Sequence, residues 1–112
     1  MSYDVITIGS ATVDVFADTN SELVKFITQN GEHDFITYPS GSKMLISHLN
    51  FDVGGGGTNT AVSFSRLGLQ TAYLGKLGFD ENAHKVLMLL ESERIPFIGK
   101  QEGQTGYSIV LD

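Results

Sequence analysis

Short apolar runs alternate with glycine-rich or polar turns along the chain, and this pattern predicts alternating strands and helices. The first run, residues 5–9, is rich in β-branched side chains and ends in glycine, which is typical of a buried parallel strand. Six further runs predict strands, and they span residues 11–17, 35–38, 44–53, 71–77, 95–99 and 107–112.

A first helix is expected early in the chain. Residues 23–27 place apolar side chains at helical spacing, and Asn20 or Ser21 precedes them as a candidate cap. The pair Asn30-Gly31 is expected to end this helix.

Two more helices are predicted in the second half of the chain. Thr58 or Asn59 is expected to cap the first of them, and Gly68 is placed to end it. The second follows a turn at residues 78–80, in which Asp80 is expected to serve as a turn or capping residue. Its apolar face consists of Ala83, Val86, Leu87 and Leu90.

The order strand, glycine loop, helix, strand, helix, strand predicts an α/β layer. The remaining strands are too many for that layer, so we expect a small second sheet built from residues 11–18, 35–53 and 95–112. The chain ends at Asp112 inside a predicted strand. A natural domain rarely leaves strand edges with unpaired backbone groups. We therefore expect residues 1–112 to be the N-terminal part of a truncated domain.

Composition narrows the classes of partner. Of 112 residues, 41% are hydrophobic and 18% are charged, which is typical of a globular chain. The net charge of -6 and the absence of a basic stripe argue against a nucleic-acid partner. No apolar stretch is long enough to span a membrane, and the lack of cysteine fits the reducing cytoplasm. The three histidines have no metal-ligand spacing, so no metal site is expected.

Four consecutive glycines, residues 54–57, stand between a predicted strand and a predicted helix. Glycine permits sharp turns and close approach of a ligand to the backbone. No Gly-Lys-Ser or Gly-Lys-Thr follows, which excludes a Walker A loop, and the third glycine of a dinucleotide fingerprint is missing. Tight packing of the helix against the sheet is the simpler alternative, although four glycines exceed what packing needs.

A site for a neutral polyol accounts better for these residues. The backbone N–H groups of Gly54 and Gly55 can donate to hydroxyls, and Asn59 offers both a donor and an acceptor. Asp14 follows the first predicted strand and can accept two hydroxyl protons. Ligands of open α/β sheets bind at the carboxyl ends of the strands, where these residues are expected to lie.

Several motifs together resemble those of the PfkB family of ribokinase-like carbohydrate kinases. Residues 54–61 resemble the family signature Gly-Gly-x-Gly-x-Asn-x-Ala. The other matching segments are Ile8-Gly9-Ser10 followed by Asp14, Arg66-Leu67-Gly68, Leu74-Gly75, Leu77-Gly78-Phe79-Asp80 and Gln104-Thr105-Gly106. Residues 19–43 match no family pattern. Two positions depart from it, because Ala83 and Arg94 stand where glycine is usual.

The resemblance implies a partial α/β sandwich with a small β-sheet lid, truncated before the ATP-binding half. It implies a sugar or nucleoside kinase that uses ATP and Mg²⁺, with this chain as the substrate-binding part. In that interpretation Asp14, Gly54, Gly55 and Asn59 hold the sugar, and Tyr107 in the lid is a further candidate. The family's catalytic aspartate lies in a Gly-x-Gly-Asp motif, which is absent here and is expected downstream of Asp112.

Two other functions remain open from the sequence. A non-catalytic sugar-binding or dimerisation module would form a homodimer through the lid strands, since exposed strand edges favour pairing. A dinucleotide-binding enzyme is the other alternative, and the missing third glycine argues against it.

Overall fold

The computed structural model describes residues 2–19 and 22–112. The predicted caps Asn20 and Ser21 therefore lie outside the described residues. The elements, in chain order, are β1 (Val5–Ile8), β2 (Thr12–Thr19), β3 (Glu22–Thr28), β4 (Gly31–Thr37), β5 (Ile46–Gly54), α1 (Gly56–Arg66), β6 (Thr71–Leu77), α2 (Glu81–Ser92), β7 (Phe97–Gln101) and β8 (Gly106–Leu111).

The chain divides into two compact units. The first consists of residues 1–14 and 51–108, and the second of residues 15–50 and 109–112. The first unit contains a parallel sheet in the order β1-β6-β7. This confirms the predicted parallel first strand. The prediction that residues 95–112 all join the small sheet was wrong, because β7 pairs with β6 in the parallel sheet.

The core of the first unit lies between one face of this sheet and the two helices. Tyr73 and Leu77 on β6 are fully buried, as is Ala61 on α1. On α2 the buried residues are Ala83, Val86 and Leu90, as the apolar face predicted. Burying each large side chain contributes about 1.5–3 kcal/mol relative to leaving it in water, so this face holds the layer together.

The opposite face of the same sheet carries an exposed row of apolar side chains. Ile8 pairs with Leu74, and Leu74 pairs with Ile98, so the three side chains form one row across the strands. They are 76%, 38% and 37% exposed, respectively. Parallel sheets are normally covered on both faces, so this surface differs from the usual parallel sheet.

Strands β2, β5 and β8 form the small second sheet in the order β5-β2-β8. A small second sheet was predicted, and its strands span residues 12–19, 46–54 and 106–111. The prediction that residues 35–38 join it was wrong, because β4 pairs with β3 in a separate two-stranded sheet. Within the described residues, the helices α1 and α2 are 11 and 12 residues long, and neither is long and apolar enough to cross a membrane.

The predicted helix through residues 23–27 was wrong. Strands β3 and β4 pair in antiparallel register, with Thr28 opposite Gly31 and Lys25 opposite Asp34. The pair Asn30-Gly31 therefore belongs to a tight hairpin turn, and Gly31 has a positive φ of 117°. The structural reason is that each strand satisfies its backbone groups with the other, because they are adjacent in sequence.

Candidate functional site

The glycine stretch connects the end of β5 to the start of α1. Gly55 is the N-cap of α1, with φ of 101° and no side-chain cap. The predicted caps Thr58 and Asn59 are therefore wrong, since the helix begins at Gly56. The Thr58 hydroxyl instead donates backwards to the carbonyl of Gly54 over 2.6 Å, which ties the helix to the strand end.

Ser10, in the turn after β1, completes the first turn of α1. Its hydroxyl accepts from the N–H of Gly56 over 3.1 Å, and its carbonyl accepts from the N–H groups of Gly57 and Thr58 over 2.9 and 3.4 Å. These are helix N-terminal donors that have no partner inside the helix. The Gly55 N–H, one step earlier, has no acceptor among the described residues and remains available as a donor.

Three of the four glycines have no room for a side chain, for different reasons. A Cβ on Gly57 would lie 2.5 Å from the Tyr73 ring, so this glycine serves helix–sheet packing. A Cβ on Gly55 would collide with the carbonyl of Ser10. A Cβ on Gly54 would lie 2.5 Å from Oδ2 of Asp14. Gly56 alone has open space around it. The packing interpretation therefore holds for Gly57, whereas Gly54 makes room for a carboxylate.

The Asp14 carboxylate is half-buried on β2 and is held from one side. Its Oδ1 accepts from the Ser108 hydroxyl over 2.7 Å and lies 3.4 Å from the Thr12 hydroxyl. Its Oδ2 faces Gly54 and has no hydrogen-bond donor among the described residues. The two oxygens therefore have different surroundings, one fixed by the protein and one unpaired beside the glycine stretch.

The structure brings together three of the five predicted site residues, namely Asp14, Gly54 and Gly55. Asn59 lies in the first turn of α1, where its N–H donates to the Gly55 carbonyl over 2.9 Å and its side chain is exposed. Tyr107 on β8 is 60% exposed. Strand alternation places it on the opposite face of β8 from Ser108, which contacts Asp14.

Sequence reasoning missed three residues of this site: Ser10, Thr12 and Ser108. Ser10 lies in the link between β1 and β2, and Thr12 is the first residue of β2, so their proximity to Asp14 in the sequence was a usable signal. Ser108 lies 94 residues from Asp14 along the chain, and only the pairing of β8 with β2 brings it there.

A model of the pfkB family of carbohydrate kinases matches residues 4–111. This chain belongs to the pfkB family. A comparison with curated proteins gave no match. Among solved structures, ribokinase from Cryptococcus neoformans var. grubii serotype A in complex with ADP is 22% identical with a TM-score of 0.71. That alignment covers 98% of this chain and 30% of the ribokinase.

Two other solved structures share the fold. The tetrameric inhibited form of phosphofructokinase-2 from Escherichia coli is 17% identical, with a TM-score of 0.64 over 98% of this chain and 31% of that one. The Methanocaldococcus jannaschii nucleoside kinase is 17% identical, with a TM-score of 0.65 over 96% and 32%. These likenesses confirm the ribokinase-like α/β fold, and this pfkB chain spans about a third of the length of the structures it matches.

Two of the motifs that resemble the pfkB family form a separate structural cluster in this chain. Asp80 is the N-cap of α2, and its Oδ1 accepts from the Ala83 N–H over 2.8 Å. The N–H and hydroxyl of Thr105 donate to the same carboxylate over 2.9 and 2.7 Å. These hydrogen bonds, those of Thr105 first, lower the pKa of Asp80. The prediction that Asp80 is a capping residue is confirmed.

The two departures from the family pattern are accommodated locally. Ala83 is buried and supplies the capped N–H of α2. Arg94 adopts a positive φ of 60°, which is the left-handed conformation that glycine usually takes after a helix. The chain therefore keeps the helix end that the family pattern implies without the glycine.

Proposed function

We propose that this chain is the substrate-binding part of a sugar or nucleoside kinase, which transfers a phosphoryl group from ATP to a substrate hydroxyl. The observation that carries the proposal is the unpaired Oδ2 of Asp14 beside Gly54, next to the open N–H of Gly55. A carboxylate oxygen only accepts and a backbone N–H only donates. A hydroxyl group does both, so a polyol satisfies the pair.

Asp14, Gly54, Gly55 and Asn59 are the residues that we assign to substrate hydroxyls. Asp14 accepts a hydroxyl proton, the Gly55 N–H donates, and the exposed Asn59 amide adds a donor or an acceptor. Gly54 contributes the space in which the carboxylate and the ligand meet. Tyr107 is not included, because it lies on the other face of β8 from Ser108.

ATP, Mg²⁺ and the catalytic base are assigned to polypeptide beyond the described residues. No three His, Cys, Asp or Glu side chains of residues 2–19 and 22–112 are grouped as metal ligands. The carboxylate of Asp80 is committed to α2 and Thr105, so it is not the base. The open row Ile8, Leu74 and Ile98 supports a larger parent, since a parallel sheet is normally covered on both faces.

The location that the proposal implies is the cytoplasm, where ATP-dependent sugar phosphorylation takes place in a reducing environment. The absence of cysteine from all 112 residues is compatible with that environment.

Calorimetric titration with ribose, fructose 6-phosphate and adenosine tests the assignment, since the solved structures include a ribokinase, a phosphofructokinase and a nucleoside kinase. We expect at least one probe to bind and Asp14→Ala to abolish detectable binding, because it removes the carboxylate oxygen that faces Gly54. The control is Asp52→Ala, which removes the same charge from an exposed residue of β5. Equal affinity of the Asp14→Ala variant and the unmodified chain would contradict the proposal.

A dimerisation module is the second candidate, favoured by the surface of the second unit. Among its described side chains, Ile27, Leu45, Leu49 and Ile109 are all large, apolar and exposed. Exposed apolar side chains mark an interaction surface where they form one patch. Sedimentation velocity over a range of concentrations tests this candidate. A single dimer species supports it, whereas a monomer at all concentrations contradicts it.

A further inference from the structure

We infer that Ser108 is a positioning residue for the substrate, which acts by fixing Asp14 so that only Oδ2 is offered to a ligand hydroxyl. The inference rests on the proposed function, because it concerns the same site. It adds a residue outside the motifs through which the sequence resembles the family.

The contact is direct and short. Ser108 on β8 donates its hydroxyl to Oδ1 of Asp14 on β2 over 2.7 Å. The Thr12 hydroxyl approaches the same oxygen at 3.4 Å, near the limit of a hydrogen bond. A hydrogen bond to an ionised acceptor is stronger than one between neutral groups, so the Ser108 bond is the one that holds the carboxylate.

The orientation of the carboxylate depends on that bond because Gly54, on the other side of Asp14, offers only space and no hydrogen bond. Oδ2 lies 2.5 Å from the position that a Cβ on Gly54 would take, and no described residue donates to it. The carboxyl group of aspartate turns about a soft terminal torsion. Without the Ser108 bond, that rotation exchanges the two oxygens and spreads the acceptor over several directions. With the bond, Oδ2 is held beside Gly54.

A fixed carboxylate binds a ligand hydroxyl at a smaller loss of conformational entropy than a mobile one. It also limits which ligands fit. Because Ser108 already occupies one lone pair of Oδ1, the free oxygen beside Gly54 recognises one hydroxyl of the ligand directly. Ser108 therefore contributes to the choice among polyols as well as to their affinity.

The experiment compares affinities of the 112-residue chain and its variants for ribose, fructose 6-phosphate and adenosine by calorimetry. We expect Ser108→Ala to weaken binding about tenfold, the scale of one lost hydrogen bond to a charged group. Ser108→Thr and Ser108→Val have the same shape, so we expect the former to retain affinity and the latter to lose it. Ser63→Ala is the control, since this serine is exposed on α1.

Monodeoxy derivatives of the probe that binds distinguish positioning from direct contact. One of these derivatives lacks the hydroxyl that Asp14 binds, and with it Asp14→Asn no longer changes the affinity. We expect Ser108→Val to have no effect on the affinity for that derivative either. If the Ser108 effect persists there, Ser108 contacts the ligand itself and the inference is overturned. If Asp14→Ala abolishes binding but Ser108→Val does not weaken it, the inference fails alone. If no probe binds the unmodified chain, the proposed function and the inference both fail.

Discussion

The helices α1 and α2 both start after a glycine-containing loop, yet their first turns are completed in opposite ways. At α2 the protein fills the positive end of the helix with its own carboxylate, since Asp80 caps the Ala83 N–H and is itself held by Thr105. At α1 no acidic residue stands in the first turn, and the N-cap residue Gly55 has no side chain to cap it. Ser10, in the turn after β1, instead accepts hydrogen bonds from the N–H groups of residues 56–58.

This difference separates two ways in which the chain satisfies the start of a helix. The N-terminus of a helix attracts negative charge and hydrogen-bond acceptors. At α2 the carboxylate of Asp80 meets that attraction within the chain. At α1 the Gly55 N–H has no acceptor among the described residues, and the Asp14 carboxylate lies beside Gly54 with one oxygen unpaired. That oxygen of Asp14 does not cap α1.

The largest expected effect distinguishes the glycines of the α1 loop from one another. Gly57→Ala places a Cβ 2.5 Å from the Tyr73 ring and 2.8 Å from the carbonyl carbon of Gly9. We expect it to lower the free energy of unfolding by about 3 kcal/mol or more, because backbone and a buried ring must both move. Urea denaturation followed by circular dichroism measures this.

Gly56→Ala is the matched control for that substitution. Gly56 stands next to Gly57 in the same helix turn, and no atom lies within 4 Å of an added Cβ. We expect a gain of about 0.4–1 kcal/mol, since alanine restricts the unfolded chain. Similar losses for the two variants would show that the loop needs glycine for a reason other than the contacts of Gly57.

The sequence pattern predicted the elements of the first unit well, because the spacing of apolar residues within each element agrees with the core that the elements form together. The apolar face of α2, with Val86 and Leu90, meets the buried side of β6, and the strand and helix periods both point to that core. Gly68 ends α1 as expected, with a positive φ of 93°. The resemblance identified Asp14, Gly54 and Gly55, and the structure brings these three together.

The β3–β4 hairpin and the contact of Ser108 with Asp14 were harder to predict, for two physical reasons. Leu23, Val24, Phe26 and Ile27 have helical spacing, but the tight turn at Asn30-Gly31 lets β3 and β4 pair, and this pairing overrode the period. Ser108 meets Asp14 only through the neighbouring positions of β2 and β8, which depend on the order of strands in the sheet. No local signal encodes that order.

The smallest expected effect concerns α2 and appears in the pH dependence of stability. Hydrogen bonds from Thr105 and Ala83 hold the pKa of Asp80 below its ordinary value of 3.8. Its carboxylate therefore stabilises the folded chain fully above pH 3.8, and this contribution is lost as pH falls through the lower folded pKa. We expect Asp80→Asn to be less stable at neutral pH and to approach the unmodified chain in acid. Urea midpoints across this range measure the difference, with Asp52→Asn as the charge-matched control. A constant difference in stability between Asp80→Asn and the unmodified chain at all pH values would mean that the charge of Asp80 does not stabilise the start of α2. The difference between α1 and α2 would then rest on Thr105 alone.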